Sequence, residues 1–511
     1  MTSSRSSRLP LFKIKIEETG TIRDIKENIA RIDGLATCLT GEIIDMGDGV
    51  FGLVMEYDAD CVLTLVLGNP AKLRMGKTVR GVSEPFRIPV GLDCIGRMMT
   101  ALGECCDERG PIPSEEKTEV FYASPGLVAR RPITESLPTG CRVIDALTPL
   151  GKGQRQLILG DRMTGKSSLA LDAVLTQRGR DVTCIYCCIG KSVSTIEKLM
   201  GLLSEEKALE YTTVFVATDN APVAEQYILP FSAATLGNYL AARGQDVLVI
   251  FDDLTKHAWA YRQVSLLLDR PPGREAYPGD IFYVQTQLME RAGCFNADHG
   301  GGSMTFLALA ETLQGDLTGY IPSNLASMCD GQIFLSGALY AEGLRPAIDI
   351  SLSVSIVGGR AQAKILRSLS HSLRADYANY LEILRLSRLS AGLSEDALRT
   401  LRKGEAMRAV LQQGHHQRSS LGEIVLLLFA VDRACLNDLT TAEKEAFSRG
   451  IYAYARQHAA GLVEELERGG EMTDALAAGL HDIVTRFVAL LRTIGPQDGD
   501  EAAAVEEAPP A

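Results

Sequence analysis

Long apolar runs are missing from this 511-residue sequence, and positive charge is in short supply. No run approaches the roughly 18–20 residues that cross a bilayer. No signal sequence of basic, apolar and small residues opens the chain, so we expect no membrane span. Acidic residues number 64 against 52 Lys and Arg, for a net charge of −12. This balance argues against a broad nucleic-acid surface, although a phosphate ligand needs only a local positive pocket.

The twelve cysteines follow no metal-binding pattern. Cys184 and Cys187 have a Cys-x-x-Cys spacing, but no second pair follows at the distance that zinc sites use. Both lie with Cys188 in an apolar run, where a strand would turn successive side chains to opposite faces. We therefore predict buried, reduced thiols and a reducing compartment.

A phosphate-binding loop is the most informative feature of the sequence. Eight residues match the pattern G-x-x-x-x-G-K-[ST], with an apolar run before them and a helical pattern after them. Backbone amides and the helix N-terminus would surround the phosphates, with Lys166 at the β- and γ-phosphates and Ser167 as a ligand of Mg²⁺. The predicted nucleotide-binding residues here are Gly160, Asp161, Arg162, Met163, Thr164, Gly165, Lys166, Ser167 and Ser168.

A second apolar strand, Val247 to Phe251, ends in Asp252 and Asp253. Nucleotide sites of this kind use an aspartate at such a strand end to help hold Mg²⁺. We predict Asp252 as the magnesium-linked carboxylate, acting through water, with Asp253 as its neighbour.

Hydrolysis would also need a carboxylate to orient the attacking water. In RecA-like motors this residue follows the strand after the phosphate-loop helix, and here that position is Lys191. A protonated lysine is no general base, and removal of a positioned base costs about 10²–10⁴ in rate. The sequence therefore predicts a site that binds Mg-ATP and cleaves it poorly or not at all.

The order of strands and helices predicts an α/β multidomain protein. Its parts are a basic leader (1–19), an N-terminal β-barrel (20–88), a central RecA-like P-loop domain with a parallel sheet (89–367), a C-terminal helical bundle (368–494) and a disordered tail (495–511). The central strands are predicted at Gln156–Leu159, Thr183–Ile189, Thr213–Ala217, Val247–Phe251 and Met304–Ala308.

Over residues 20–490 the sequence closely resembles the α subunits of F-type ATP synthases. The most specific stretch is FDDLTKHAWAYRQVSLLLDRPPGREAYPGD, from Phe251 to Asp280. Further matching pieces are Gly153-Gln154-Arg155, Gln314-Gly315-Asp316, Tyr320-Ile321-Pro322-Ser323-Asn324, Asp330-Gly331-Gln332-Ile333-Phe334-Leu335 and Arg345-Pro346-Ala347.

This resemblance implies a ring of three α and three β chains around a rotating γ stalk, joined to a peripheral stalk. The α subunit would hold ATP or ADP with Mg²⁺ at a non-catalytic site, while β carries the catalytic carboxylate and makes or hydrolyses ATP. The complex would sit peripherally on the cytoplasmic face of a bacterial inner membrane and move protons or sodium ions. The adenine pocket would comprise Arg345, Pro346, Gln413 and His415, the last in place of a common glutamine.

Departures from the family pattern concern catalysis and the leader. The family has glutamine where this chain has Lys191. It also has an arginine that reaches the β active site, within a segment like V-S-R-V-G-G, where this chain has Ile356. An arginine finger is worth about 10³–10⁵ in turnover, and Arg360 is the nearby candidate to compensate. Residues 1–19 lack a clear amphipathic helix, as in alternate, sodium-translocating relatives.

Two alternatives to a working α-type subunit remain open. A degenerate paralogue would keep nucleotide and ring contacts with little catalysis, as Ile356 and Lys191 suggest. A hexameric RNA helicase would need a basic pore and a competent base, which the acidic balance and Lys191 oppose. Among single residues, we expect His257 to be a helix or interface residue, His416 to be structural, and Glu290 with Arg291 to form an ion pair at a subunit interface.

Overall fold

The computed structural model describes residues 18–58, 60–387 and 394–494. Most of the predicted leader and the whole of the predicted tail, 495–511, lie outside these residues. The predicted fold class is confirmed, since a β-barrel, a parallel-sheet domain and a helical domain follow one another along the sequence.

Six strands form the N-terminal barrel. Its closed order is β1-β2-β5-β4-β3-β6, with antiparallel neighbours throughout. Side chains along each strand alternate between the inside and the outside of the barrel. Ile32, Val54 and Val66 are among those that fill the interior, so the barrel has its own core. The strands are β1 (Thr19–Lys26), β2 (Ile29–Asp33), β3 (Glu42–Asp45), β4 (Phe51–Tyr57), β5 (Cys61–Leu67) and β6 (Thr78–Pro85).

The central domain is built on a mainly parallel sheet. All five predicted strands are confirmed, and each extends a residue or more beyond its predicted ends. The strands are β7 (Arg87–Pro89), β8 (Met98–Met99), β9 (Lys117–Glu119), β10 (Arg155–Gly160), β11 (Val182–Lys191), β12 (Thr212–Thr218), β13 (Asp246–Asp252), β14 (Gly293–Cys294), β15 (Ser303–Glu311), β16 (Gly331–Leu335) and β17 (Val354–Ser355).

The order of the strands in this sheet is β17-β16-β10-β15-β13-β11-β12-β8, and β14 pairs with β15. Only β17 and β14 run antiparallel to their neighbours. The carboxyl ends of β10, β15, β13 and β11 are consecutive along one edge of the sheet. Ligands of open parallel sheets bind outside this edge, so the order places the phosphate loop beside the ends of three neighbouring strands.

Helices cover both faces of the sheet, which explains why its strands are long apolar runs. Cys184 and Cys188 of β11 pack on one face and Cys187 on the other, all three buried as predicted. The helices of this domain are α1 (Arg142–Leu147), α2 (Lys166–Thr176), α3 (Val193–Glu205), α4 (Val223–Ala241), α5 (Leu254–Leu267), α6 (Ile281–Met289), α7 (Tyr320–Met328) and α8 (Gly337–Ala341).

The C-terminal domain packs its helices around α12, which is apolar on nearly every side and buried over most of its length. A capping box between Thr440 and Glu443 begins α13. None of the described helices is both long and apolar enough to span a membrane. The helices are α9 (Lys364–Ser370), α10 (Leu373–Ser387), α11 (Glu395–Leu411), α12 (Leu421–Asp432), α13 (Thr441–His458), α14 (Ala460–Glu467) and α15 (Asp474–Ile494).

Arg142 of α1 joins the central and helical domains. Its guanidinium is buried, pairs with Glu423 at 2.6 Å, and donates to Ser448 Oγ at 2.6 Å and to Ser419 Oγ at 2.8 Å. All three partners belong to the helical domain. One charged residue with several partners is therefore among the contacts that join the central domain to the bundle.

The interface ion pair predicted for Glu290 and Arg291 is wrong. Arg291 is only 2% exposed in the single subunit, so it cannot lie at a subunit interface. Its guanidinium donates to the carbonyl oxygen of Val120 at 2.8 Å and lies over the ring of Tyr122. Backbone carbonyls and an aromatic face contact the two terminal nitrogens and the face of the guanidinium in place of a carboxylate, while Nε has no hydrogen-bond partner among the residues that the structure describes.

Candidate nucleotide-binding site

The phosphate loop connects β10 to α2 in a tight turn. Gly165 has a φ of +100°, a conformation that favours glycine. Gly160 has no room for a side chain, because a Cβ there would lie 2.8 Å from the carbonyl oxygen of Leu335. Thr164 donates its hydroxyl to the carbonyl of Asp161 at 2.8 Å and closes the loop on itself. Steric constraints thus explain why the predicted pattern has glycine at both positions.

Lys166 begins α2 and folds back over the loop. Its ammonium donates to the carbonyl oxygens of Gly160 and Asp161, each at 2.7 Å. The side chain is buried, and this burial lowers the pKa of Lys166. Ser167 is the next residue of the helix and is exposed. The lysine and the helix N-terminus thus lie at the loop, where a phosphate would bind.

Asp252 and Lys191 meet directly. They end the adjacent strands β13 and β11, and Lys191 Nζ lies 2.6 Å from Asp252 Oδ1 and 3.8 Å from Asp253 Oδ2. The other oxygen of Asp252 accepts a hydrogen bond from the hydroxyl of Tyr186 at 3.0 Å. Both oxygens of the predicted magnesium-linked carboxylate therefore have protein partners.

These contacts decide the charges at the end of the sheet. Burial alone would lower the pKa of Lys191, but the carboxylates of Asp252 and Asp253 outweigh it and leave that pKa raised. Burial raises the pKa of Asp253 to about 6, against the opposing effect of Lys191. Asp253 also accepts the backbone N–H of Lys256 at 2.9 Å and begins α5 as its cap. Lys191 is accordingly a protonated, paired cation at neutral pH.

Glu311 and Tyr186 are functional candidates that the sequence analysis missed. Glu311 ends β15 directly opposite Gly160, lines the same cavity, and pairs with Arg162 at 3.1 Å. Glu311 could have been predicted from the sequence, because it ends an apolar strand and Asp252 was identified by the same criterion. Tyr186 lies inside an apolar strand, so no signal in the sequence distinguished it from core residues.

One cavity of about 780 Å³ is lined by all the predicted nucleotide-binding residues except Gly160 and Asp161. This volume falls in the usual range for small-molecule sites. The loop from Arg162 to Ser168, Lys191 and Asp252 line one part of the cavity, and Arg345, Pro346, Gln413 and His415 line another. One group of these residues was predicted to hold the phosphates and the other to hold the adenine base. The two groups are far apart in sequence, and the structure brings them together.

The residues predicted to hold the adenine base differ in how accessible they are to a ligand. The Arg345 guanidinium lies 3.4 Å from the centre of the Tyr340 ring and is exposed. His415 is exposed, with Nε2 3.3 Å from the hydroxyl of Ser168. Gln413 is buried, and its amide accepts the N–H of Arg142 at 2.7 Å and donates to the carbonyl of Gly140 at 2.8 Å. Gln413 therefore shapes the cavity wall, while Arg345 and His415 have room for a ligand.

Ile356 and Arg360 lie apart from this cavity. Ile356 follows β17 and is 75% exposed, and Arg360 is exposed four residues later. Neither lines the nucleotide cavity. The side chain of Ile356 offers neither charge nor a hydrogen bond to whatever meets this surface.

Fold and site together define a class: a P-loop protein with a β-barrel before its parallel-sheet domain and a helical bundle after it. Three family models match in this order. They are the beta-barrel domain of the ATP synthase alpha/beta family at 15–82, the nucleotide-binding domain of the same family at 140–355 and, at 362–487, the family's C-terminal domain.

Curated relatives agree over nearly the whole length. ATP synthase subunit alpha of Clostridium acetobutylicum is 38% identical over 95% of this chain and 97% of its own. The same subunit of Nitrosomonas europaea is 38% identical over 92% of this chain and 93% of its own. That of Cupriavidus necator is 37% identical, over 93% and 94%. The chain therefore belongs to the ATP synthase alpha/beta family, and these curated relatives are alpha subunits. This confirms the predicted resemblance.

Proposed function

We propose that this chain is the nucleotide-binding, non-catalytic α-type subunit of a rotary ATP synthase. It would alternate with β subunits in a hexameric ring around a γ stalk, and β would make or hydrolyse ATP. The observation that carries the proposal is the Lys191–Asp252 ion pair beside a complete phosphate loop. That pair puts a cation where hydrolysis needs a proton acceptor.

Binding of ATP or ADP is supported by the way the cavity is built. Lys166, Arg162 and the N-terminus of α2 supply positive charge at one part, and Arg345 offers a planar guanidinium at another. A base can stack on such a guanidinium, and phosphates bind well at a helix N-terminus. The predicted set from Gly160 to Ser168, with Arg345, Pro346 and His415, is therefore the proposed nucleotide contact.

The contacts of the nearby carboxylates support our proposal that this site does not hydrolyse its nucleotide. Asp252 is paired with Lys191, Asp253 caps α5, and Glu311 is paired with Arg162. A base must reach the water that attacks the phosphate, and each of these groups is already engaged. We propose that the site holds its nucleotide and leaves it intact.

Magnesium fits the present arrangement poorly. Ser167 is the predicted ligand and Asp252 the carboxylate predicted to act through water, but both Asp252 oxygens have protein partners. No three His, Cys, Asp or Glu side chains group as a metal site within the described part of the protein. Mg²⁺ needs a near-octahedral oxygen shell. Mg-ATP binding through Ser167 and Asp252 stays a prediction, and no step proposed here depends on it.

A second candidate function is that of a degenerate ring subunit with a structural or regulatory role. Ile356 favours it, because this exposed apolar residue stands where the resemblance places an arginine finger. Loss of such a finger costs about 10³–10⁵ in turnover. Both functions keep the same nucleotide site and ring position, and they differ in whether the assembled complex is active.

The finer features of the complex are likewise proposals. We propose that this subunit contacts the peripheral stalk and associates with the membrane through the complex, on the cytoplasmic face of a bacterial inner membrane. The coupling ion, proton or sodium, would be chosen by the membrane ring. These proposals rest on the similarity to subunit alpha, which extends over most of the sequence.

Equilibrium titration of the purified full-length protein with ATP and ADP tests the proposed binding. Lys166→Gln removes the ammonium over the loop, and we expect it to weaken binding about a hundredfold, the range of a strong charge-assisted contact. Lys198→Gln makes the same change on the exposed surface of α3 and should leave affinity unaltered. Absence of binding by the unmodified protein would overturn the proposal, as would equal affinity of the two variants.

A further inference from the structure

The half-buried ammonium group of Lys191 adds a second positive charge to the proposed nucleotide cavity. In phosphate-loop sites the loop lysine and a divalent metal share the charge of the phosphates. Here Lys166 is present at the loop, and Lys191 is bonded to the carboxylate that would face the metal. Lys191 Nζ thus contacts the carboxylate that was predicted to act on the metal through water.

The network around Lys191 gives each oxygen of Asp252 a protein partner. Lys191 takes one oxygen of Asp252 and the Tyr186 hydroxyl takes the other. Tyr186 and Asp252 are buried, so bulk water does not compete for these bonds. A hydrated Mg²⁺ would have to displace a bonded, oppositely charged group from a buried carboxylate, which strongly favours the ion pair.

The charges in the cavity explain what Lys191 would contribute. Asp252, Asp253 and Glu311 all lie at the end of the sheet where the phosphates would bind. Without a further cation, these carboxylates would repel a triphosphate. The ammonium of Lys191 offsets one of them, and only one of its three donors is used at 2.6 Å. Its remaining donors are available to phosphate oxygens.

We propose that Lys191 replaces the divalent cation at this site, so that the protein binds ATP and ADP with little dependence on Mg²⁺. The inference rests on the proposed nucleotide-binding function and concerns how the same site balances the charge of its ligand. Lys191 then has two effects. It leaves the site without a proton acceptor at that position, and it supplies a permanent positive charge. A nucleotide at this site would stay bound when free magnesium falls.

The test compares dissociation constants for ATP and ADP in excess Mg²⁺ and in EDTA, using the full-length protein and calorimetric titration. For the unmodified protein we expect the two constants to agree within about threefold, since the charge is built in. Lys191→Gln keeps length and polarity but removes the charge. We expect it to bind at least about tenfold more weakly in EDTA than in Mg²⁺. Lys198→Gln is the matched control and should behave like the unmodified protein.

Each outcome decides between the two proposals. Absence of nucleotide binding in either buffer overturns the proposed function. Binding of the unmodified protein in Mg²⁺ alone leaves that function in place and overturns the role of Lys191. The role is also overturned if Lys191→Gln binds equally well in both buffers. Measurement on the unmodified protein decides the matter even if the variant fails to fold.

Discussion

Gly160 shows how much a single residue of the phosphate loop determines. It ends β10, and a Cβ at this position would lie 2.8 Å from both the Leu335 carbonyl oxygen and Thr164 Oγ1. A backbone oxygen cannot move without disturbing β16, so the loop would have to shift. The loop pattern in the sequence requires this glycine, and the reason is close packing between two strand ends.

Gly160→Ala is therefore expected to destabilise the protein by about 1–3 kcal/mol, the usual range for an overpacked site, and to weaken nucleotide binding. Gly201→Ala is the control, because a Cβ on that residue of α3 meets no atom within 4 Å. Alanine should stabilise this helix slightly. Scanning calorimetry and ATP titration measure both effects, and equal melting temperatures and affinities would contradict the account.

Single residues also mark where sequence reasoning stops. Lys166, Asp252 and Lys191 were found because each occupies a position in a pattern of strand ends and loops. Glu311 was missed, and Arg291 was given the wrong partner. Gln413 faces the predicted cavity but is held by Arg142 and Gly140. Such partnerships depend on which distant segments pack together, and no local pattern encodes them.

At the scale of elements, the sequence located five of the nine strands of the central sheet but not their order. Apolar runs between glycines and charged residues favour buried strands, although the apolar run of α12 forms a helix. Their order, with β15 between β10 and β13, brings Glu311 beside Gly160. Two strands that are distant in sequence become neighbours only through tertiary packing.

A histidine at the contact between α4 and α5 should make the stability of the folded protein sensitive to acid. His257 is fully buried, stacks on Tyr227 and has Nε2 3.1 Å from the Tyr227 carbonyl oxygen. Burial disfavours the charged ring and lowers its pKa from 6.5 to about 4. Between these two values the unfolded protein binds a proton that the folded protein excludes. Stability is therefore fully present at pH 7 and is lost as the pH falls from about 6.5 towards 4.

His257→Gln removes this sensitivity, since glutamine can donate to the same carbonyl and does not titrate. The difference in unfolding free energy between the original protein and the variant should change by about 3 kcal/mol from pH 7 to pH 4, in favour of the variant. Urea unfolding of both proteins at several pH values measures it. A constant difference over this range would show that His257 is not held neutral.

At the scale of the whole molecule, the similarity to subunit alpha extends through all three domains, and two of the departures from the family pattern, Ile356 and Lys191, bear on the proposed function. Ile356 is exposed on the segment that would face a neighbouring subunit, and Lys191 changes the protein's own site. Ring contacts and nucleotide binding can survive both changes. The effect of Ile356 would appear only in the assembled complex, because this residue does not reach the subunit's own cavity.

Ile356→Arg tests this in a complex reconstituted with the matching β and γ subunits. If the missing arginine limits turnover, the variant should hydrolyse ATP at least about 10³-fold faster than the original complex. Val354→Arg adds the same charge two residues away, at another exposed position, and should give no such gain. Rapid turnover by the original complex that is lost in Arg360→Ala would show instead that Arg360 compensates.

The fate of bound ATP tests the central claim most directly. The purified full-length protein is loaded with radiolabelled ATP, separated from free nucleotide, incubated, and its bound nucleotide is identified by chromatography. If Lys191 takes the place of the base that would act on the attacking water, as proposed, the label is recovered as intact, bound ATP. Recovery of the label as ADP, or no retained nucleotide at all, would contradict the account.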